Sequence, residues 1–114
     1  MHELAVCQGM LRQVAEIARQ QQAQRVTRIR VQVGPLSGVE PRLLAQAFPI
    51  ASAGTLAAAA SLDLDSLPVR VHCERCECET DALPNRLLCG ACGDYHTRLV
   101  SGDELLLASV ELEC

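Results

Sequence analysis

Two Cys-x-x-Cys pairs, Cys73/Cys76 and Cys89/Cys92, constrain the fold of this chain more than any other feature of its sequence. Their spacing is typical of a four-thiolate zinc site, in which each pair lies on a tight turn and the two turns meet at the metal. Gly90 follows Cys89 and Gly93 follows Cys92, and these glycines allow the backbone to fold around an ion. Because four thiolates complete the coordination of zinc, the pattern predicts a structural site with no open position for water or substrate.

The remaining cysteines and the histidines leave some alternatives open. The chain has seven cysteines, and an odd number fits a complete disulfide framework poorly. Cys78 could replace Cys76 as a ligand, but a one-residue gap strains a tetrahedral chelate, so we interpret Cys78 as a free thiol. His72 and His96 flank the cysteine block and are interpreted as surface residues near the site. A redox dithiol is the alternative interpretation of the pairs.

Length and composition exclude several classes of protein. A chain of 114 residues forms one domain, or a small domain with an appendage. The formal net charge is −4 and only 2% of residues are aromatic, which removes the electrostatic and stacking reasons to expect a nucleic-acid partner. We find no apolar stretch long enough to cross a membrane and no basic segment before an apolar one at the N-terminus. The sequence therefore predicts a cytoplasmic protein without a membrane partner.

The hydrophobic periodicity predicts two helices and a small sheet. Apolar residues recur at steps of three and four from Leu4 to Ala18, and a second helix is expected from Pro41. That helix either ends near Phe48 or continues with a kink at Pro49, and Gly54 marks its latest end. Strands are predicted where apolar residues alternate with polar ones or form short apolar runs, namely at 29–33, 62–65, 69–71, 99–100 and 106–112. The last of these is expected to return to the sheet of the first.

The first three residues carry a second metal-binding pattern. The terminal amine of Met1, the peptide nitrogen and imidazole of His2, and the peptide nitrogen of Glu3 can surround one cation in a plane. Square-planar nitrogen ligation selects Ni(II) or Cu(II) over Zn(II) or Mg(II). On these residues alone, a histidine at position 2 without any role is the simpler interpretation. We find no phosphate-binding loop, no nucleophile elbow and no catalytic pair of carboxylates, so the sequence predicts no enzyme.

The order of these motifs resembles the HypA/HybF family of hydrogenase nickel-incorporation proteins. The similar segments are the opening 1–4, the Gly-Pro-Leu-Ser-Gly-Val-Glu-Pro run at 34–41, Gly54-Thr55 and the two cysteine pairs. The resemblance covers essentially the whole chain. It implies an α+β fold with two helices packed on a small mixed sheet and an inserted zinc-ribbon-like domain with four cysteine ligands. It places a nickel-binding domain at 1–70 and 100–114 and a zinc-binding domain at 71–99.

The resemblance implies that particular residues of this chain act as ligands of nickel and zinc. Met1, His2 and Glu3 would hold Ni(II) as transferable cargo, and Cys73, Cys76, Cys89 and Cys92 would hold structural Zn(II). Glu40 matches a position where the family carries an acidic residue near the nickel site, which makes it a candidate auxiliary ligand. Its alternative role is that of a carboxylate favoured at a helix N-terminus. The chain departs from the family at Pro49, Cys78 and Cys114.

The resemblance implies a non-enzymatic nickel metallochaperone. Such a protein would act with a nickel-insertion GTPase of the HypB type and deliver Ni(II) to the large-subunit precursor of a [NiFe]-hydrogenase. Whether the chain forms a homodimer stays open at this point. The main alternative is a zinc-ribbon protein-interaction module without nickel delivery, and a redox dithiol enzyme is the third.

Overall fold

The computed structural model describes residues 2–114 and shows an elongated molecule built on two separate sheets. Its Cα radius of gyration is 17.3 Å, against about 13 Å expected for a compact chain of this length. The elements in chain order are α1 (His2–Gln20), β1 (Arg25–Val33), α2 (Pro41–Ser52), β2 (Ser61–Ser66), β3 (Arg70–Cys73), β4 (Glu79–Asp81), β5 (Thr97–Ser101) and β6 (Leu105–Glu113).

Three strands in the order β2-β1-β6 form sheet A. Strand β1 runs parallel to β2 and antiparallel to β6, so the sheet is mixed and the last strand returns to the first, as predicted. Both helices pack on one face of the sheet over the main apolar core. That core contains Cys7, Met10, Leu11, Val14, Ala18, Val26, Ile29, Val31, Val33, Val39, Leu44, Ala47, Phe48 and Ala57. The opposite face of the sheet is polar, since Arg28 and Arg30 pair there with Asp63 and Asp65.

Helix α1 buries the predicted stripe and begins earlier than the sequence indicated. Cys7, Leu11, Val14 and Ala18 of that stripe are buried and Leu4 is half-buried, while Met10, which the stripe did not include, is buried beside them. We expected the helix from Leu4, with the preceding residues outside it, but α1 begins at His2. An acidic residue in the first turn favours such an extension, because the negative charge of Glu3 interacts well with the positive end of the helix dipole.

Helix α2 begins at Pro41, as predicted, and continues past Pro49 to Ser52. Glu40 is its N-cap, and the Glu40 carboxylate accepts a hydrogen bond from the backbone nitrogen of Arg42. Burial of Leu44, Ala47 and Phe48 against the core stabilises the helix, and this packing outweighs the backbone hydrogen bond that Pro49 removes. Of the two outcomes that the sequence allowed for Pro49, the structure shows the longer helix.

Sheet B has the strand order β4-β3-β5 and is antiparallel. The sequence did not predict β4, which has only three residues and none of the usual strand formers except Thr80. The hydrophobic residues that are buried around this sheet are Val69, Val71, Cys73 and Cys89. Two of those four are predicted metal ligands, so little apolar core remains to hold the sheet together.

The two sheets meet at a junction where the backbone packs tightly. A Cβ atom added to Gly34 would lie 2.2 Å from the carbonyl oxygen of Gly102, so no other residue fits at position 34. Gly102 itself adopts a φ of +118° and lies against Val69. Backbone bonds from Gly34 to Glu104 (2.8 Å) and from Leu36 to Gly102 (2.7 Å) join the loop after β1 to the segment between β5 and β6. Within residues 2–114, neither helix is long and apolar enough to cross a membrane.

Candidate metal centre

The four cysteines of the two pairs converge on one point. Their Sγ atoms all lie within 4.8 Å of one another. The Sγ atoms of Cys73 and Cys92 are 3.7 Å apart, and those of Cys76 and Cys89 are 3.6 Å apart. All four are free thiols, and the separations are far longer than the roughly 2.05 Å of a disulfide.

These distances fit a tetrahedral metal ion. Four sulfurs at about 2.3 Å from a central zinc would be separated by about 3.8 Å, which is close to the spacing observed between the paired thiols. The donor set consists only of soft sulfur atoms, which favours zinc over hard cations such as Mg(II) or Ca(II). The arrangement can therefore hold a tetrahedral ion with every position filled by protein.

Each pair lies on a turn that directs two backbone amides at its first sulfur. The nitrogens of Arg75 and Cys76 lie 3.4 and 3.5 Å from Sγ of Cys73. In the second turn, the nitrogens of Ala91 and Cys92 lie 3.3 and 3.5 Å from Sγ of Cys89. The amides of Cys92 and Ala91 lower the pKa of Cys89 to about 6, because hydrogen bonds to a thiolate stabilise its charged form.

The two turns close in the same way but with different residues. A residue with positive φ follows each second cysteine: Glu77 at 60° and Gly93 at 78°. The nitrogen of Glu77 donates to the carbonyl of Cys73, and that of Gly93 donates to the carbonyl of Cys89, both at 2.9 Å. Glycine adopts this conformation without strain, whereas a glutamate incurs a steric cost. The sequence indicated the glycine turn but contained no signal for the left-handed Glu77.

The remaining candidates near the cluster do not join it. Among residues 2–114, the four-cysteine group is the only set of three or more potential ligands close enough to share an ion. The thiol of Cys78 lies 3.6 Å from the carbonyl oxygen of Cys76 and is exposed. Nδ1 of His96 lies 2.7 Å from Oδ1 of Asp94, and His72 lies on β3 opposite Glu79 and Arg98. Cys78, His72 and His96 thus lie outside the four-cysteine group.

His2 and Glu3 of the second predicted site lie near the N-terminus of the chain, where the N-termini of both helices meet. His2 and Glu3 are in the first turn of α1, in which backbone N–H groups have no partner within the helix. The backbone nitrogen of Glu40 lies 3.4 Å from Oε2 of Glu3, so the structure brings these two glutamates together. Met1, the remaining predicted nickel ligand, lies outside the described residues.

Comparison with known proteins gives consistent matches over the whole chain. Residues 1–112 match the family model described as "HypA: Hydrogenase/urease nickel incorporation, metallochaperone, hypA". A protein of Nitrosospira multiformis named "Hydrogenase maturation factor HypA" is 45% identical over 98% of this chain and 97% of its own. A protein of the same name from Aquifex aeolicus is 37% identical, covering 99% of this chain and 98% of its own.

Solved structures share the fold. One described as "Solution structure of HypA protein" superposes with a TM-score of 0.74 at 26% identity, over 98% of this chain and 96% of the other. The Ni metallochaperone HypA from Helicobacter pylori superposes with a TM-score of 0.69 at 23% identity, over 97% of each chain, and shows the fold alone. Since the family model and the relatives align with nearly the whole chain, this chain belongs to the HypA family of nickel-incorporation metallochaperones.

Proposed function

We propose that this chain binds Ni(II) at its N-terminus and helps to insert it into the large-subunit precursor of a [NiFe]-hydrogenase. The observation that carries the proposal is the position of His2 and Glu3 in the first turn of α1. Their backbone nitrogens need no helical acceptor, so they are free to lose a proton and bind a metal. With the imidazole of His2 and the terminal amine of Met1 they supply the four nitrogens of a square-planar Ni(II) site.

Glu40 contributes to this site from the N-terminus of α2. Its side chain caps that helix and its backbone nitrogen approaches the Glu3 carboxylate. Because its backbone lies against the side chain of Glu3, Glu40 is close to the proposed nickel site, and it is not required as a ligand. We assign it the role of an auxiliary group that holds the two helix N-termini together.

Cys73, Cys76, Cys89 and Cys92 bind structural Zn(II) in this proposal. The support is the tetrahedral spacing of their sulfurs and the amides directed at Cys73 and Cys89. A closed sphere of four thiolates offers no position for a substrate, so the chain acts as a metal carrier and not as an enzyme. The domain division follows: 71–99 forms the zinc-binding domain, and 1–70 with 100–114 forms the nickel-binding domain.

The partners in this proposal are a HypB-type GTPase and the hydrogenase large-subunit precursor. Names of the relatives refer to hydrogenase maturation, and a nickel site at an exposed helix end can be reached by an acceptor protein. We propose that the transfer takes place in the cytoplasm, where reduced thiols persist and zinc remains bound to them.

The nickel site is tested by changing its nitrogen donors one at a time. His2→Ala should abolish stoichiometric nickel binding, measured by titration of protein with an unblocked Met1 amine, and leave the zinc content unchanged. Acetylation of the amine should have the same effect and remove the absorption band of square-planar Ni(II). The matched control is His72→Ala, which removes an imidazole from β3 and should change neither metal.

Three outcomes would contradict the proposal. Unchanged nickel affinity in His2→Ala, or an acetylated protein with the same spectrum and affinity as the free one, would move the ligands elsewhere in the chain. A protein that binds one zinc and no nickel under all conditions would favour the alternative, a zinc-ribbon interaction module.

A further inference from the structure

We propose that Arg75 and Asp94 form an ionic latch across the two cysteine turns, and that this latch slows the release of the zinc ion. Arg75 lies within the first turn, between Cys73 and Cys76, and Asp94 is the second residue after Cys92. The proposal rests on the zinc site of the proposed function. It concerns how long the ion stays bound rather than which residues bind it.

The four-cysteine group is only partly protected from solvent by burial. Cys73 and Cys89 are buried, but Cys76 and Cys92 are exposed. A chelating molecule or a competing thiol can therefore reach two of the four sulfurs when the ion is bound. Slow release of such an ion requires that the two turns stay together, because an ion held by only one pair of thiolates has lost half of its protein ligands.

One side-chain contact joins the two turns directly. Nε of Arg75 lies 3.2 Å from Oδ2 of Asp94. The side chain of Asp94 is 21% exposed and that of Arg75 is 68% exposed, so the carboxylate is partly shielded from water. Opposite charges attract more strongly where water is excluded, and this pair is therefore stronger than one between two fully exposed side chains.

The carboxylate of Asp94 is held in place by its own turn. Its Oδ1 atom accepts the backbone N–H of His96 at 2.8 Å and lies 2.7 Å from Nδ1 of the same residue. The backbone carbonyl of Asp94 accepts the N–H of Cys89 at 3.0 Å. These contacts leave Oδ2 to Arg75. Because the carboxylate is already ordered, the pair with Arg75 costs less side-chain entropy than most surface pairs.

A backbone hydrogen bond supports the same contact. The N–H of Glu74 donates to the carbonyl of His96 at 2.8 Å, so the segment that follows Cys92 is attached to the first turn at two neighbouring points. Both contacts must break before the two cysteine pairs can separate. An interaction that is broken in the transition state of dissociation slows dissociation and leaves association nearly unchanged. The latch should therefore act on the release rate of the ion.

A second ion pair of sheet B provides a matched comparison. Nε of Arg98 lies 3.5 Å from Oε1 of Glu74, and the two side chains are 63% and 57% exposed. Arg98 lies on β5, which pairs with β3, and Glu74 directly follows β3. This pair joins the first turn to its own sheet and not to the second turn. Its removal changes the charge in the same way without freeing one turn from the other.

The test measures the rate at which the full chain releases zinc to an excess of a chromophoric chelator. Arg75→Gln and Asp94→Asn should each release zinc about threefold faster than the unmodified protein, the change expected for loss of one largely exposed ion pair. The double variant should be no faster than the faster single variant, because both substitutions remove the same contact. Arg75→Lys keeps the charge and should retain most of the slow rate.

Salt and a control variant separate the latch from a general loss of structure. High salt screens exposed charges and should remove most of the difference between Arg75→Gln and the unmodified protein, and Arg98→Gln should release zinc at the unmodified rate. Unchanged release in both Arg75→Gln and Asp94→Asn, or equal acceleration in Arg98→Gln, would overturn the latch and leave the zinc site standing. An unmodified protein that holds no zinc would overturn both.

Discussion

Sheet A and sheet B have the same number of strands but are stabilised by different means. Sheet A packs against two helices over a core that includes the fully buried Ile29 and Leu44. Both helices found in residues 2–114 belong to the core of sheet A, and the buried residues around sheet B are Val69, Val71 and two of the four clustered cysteines. A region with so few core residues lacks the apolar area needed to offset its conformational entropy. The comparison indicates that burial stabilises sheet A, and we propose that a metal held by the four cysteines stabilises sheet B.

Removing one thiol should have the largest effect, and it should be confined to sheet B. Cys73→Ser leaves three thiolates, and because structural zinc contributes about 10 kcal/mol or more to folding in small zinc modules, residues 70–101 should unfold. Hydrogen exchange should show loss of protection in β3 and β5 but not in β1, with loss of one zinc per chain. Cys78→Ser is the matched control and should keep both. Retention of a full equivalent of zinc in Cys73→Ser would show that another residue had replaced the ligand.

A cavity in the core of sheet A should produce the opposite pattern. Leu44 is 0% exposed between α2 and the sheet, so Leu44→Ala should lower the free energy of unfolding of that half by about 2–5 kcal/mol. Chemical denaturation measures this change, and metal analysis should still find one zinc. The exposed Leu43→Ala is the control on the same helix, with a much smaller expected cost. If Leu44→Ala lost its zinc as sheet A unfolded, the two halves of the molecule would not fold separately, and this account would be contradicted.

The smallest effect is expected from changing Glu77 or Gly93, the residues with positive φ in the two cysteine turns. Glu77→Gly removes the steric cost of positive φ and should strengthen zinc binding by about 1 kcal/mol, roughly fivefold, because zinc binding is coupled to folding of the turn. Gly93→Ala should weaken it by a similar amount, since a Cβ there meets no other atom and only the backbone conformation is affected. Competition with a chromophoric chelator measures both affinities. Equal and same-sign changes in the two variants would contradict this account of the turns.

The spacing of apolar residues in the sequence predicted most of the helices and strands, because buried positions recur at a regular interval along each of them. The apolar stripe of α1, the alternation in β1 and the start of α2 at Pro41 all appear in the structure. The predictions failed or stayed open at element ends and in short elements. Strand β1 begins at Arg25, earlier than its alternation indicated, because Val26 is buried opposite Leu112. Strand β4 forms because β3 pairs with it, and three residues carry no periodic signal.

By itself, the sequence indicated the two cysteine pairs as candidate metal ligands and the family to which the chain belongs. Cys73 and Cys76 occupy one turn, as do Cys89 and Cys92, so their spacing specifies the local geometry of each pair. Only the tertiary structure decided how distant segments meet. It placed the backbone of Glu40 against the carboxylate of Glu3 and the backbone of Gly34 against Gly102. These contacts join residues that are tens of positions apart, and their formation depends on the packing of the whole sheet rather than on any local pattern.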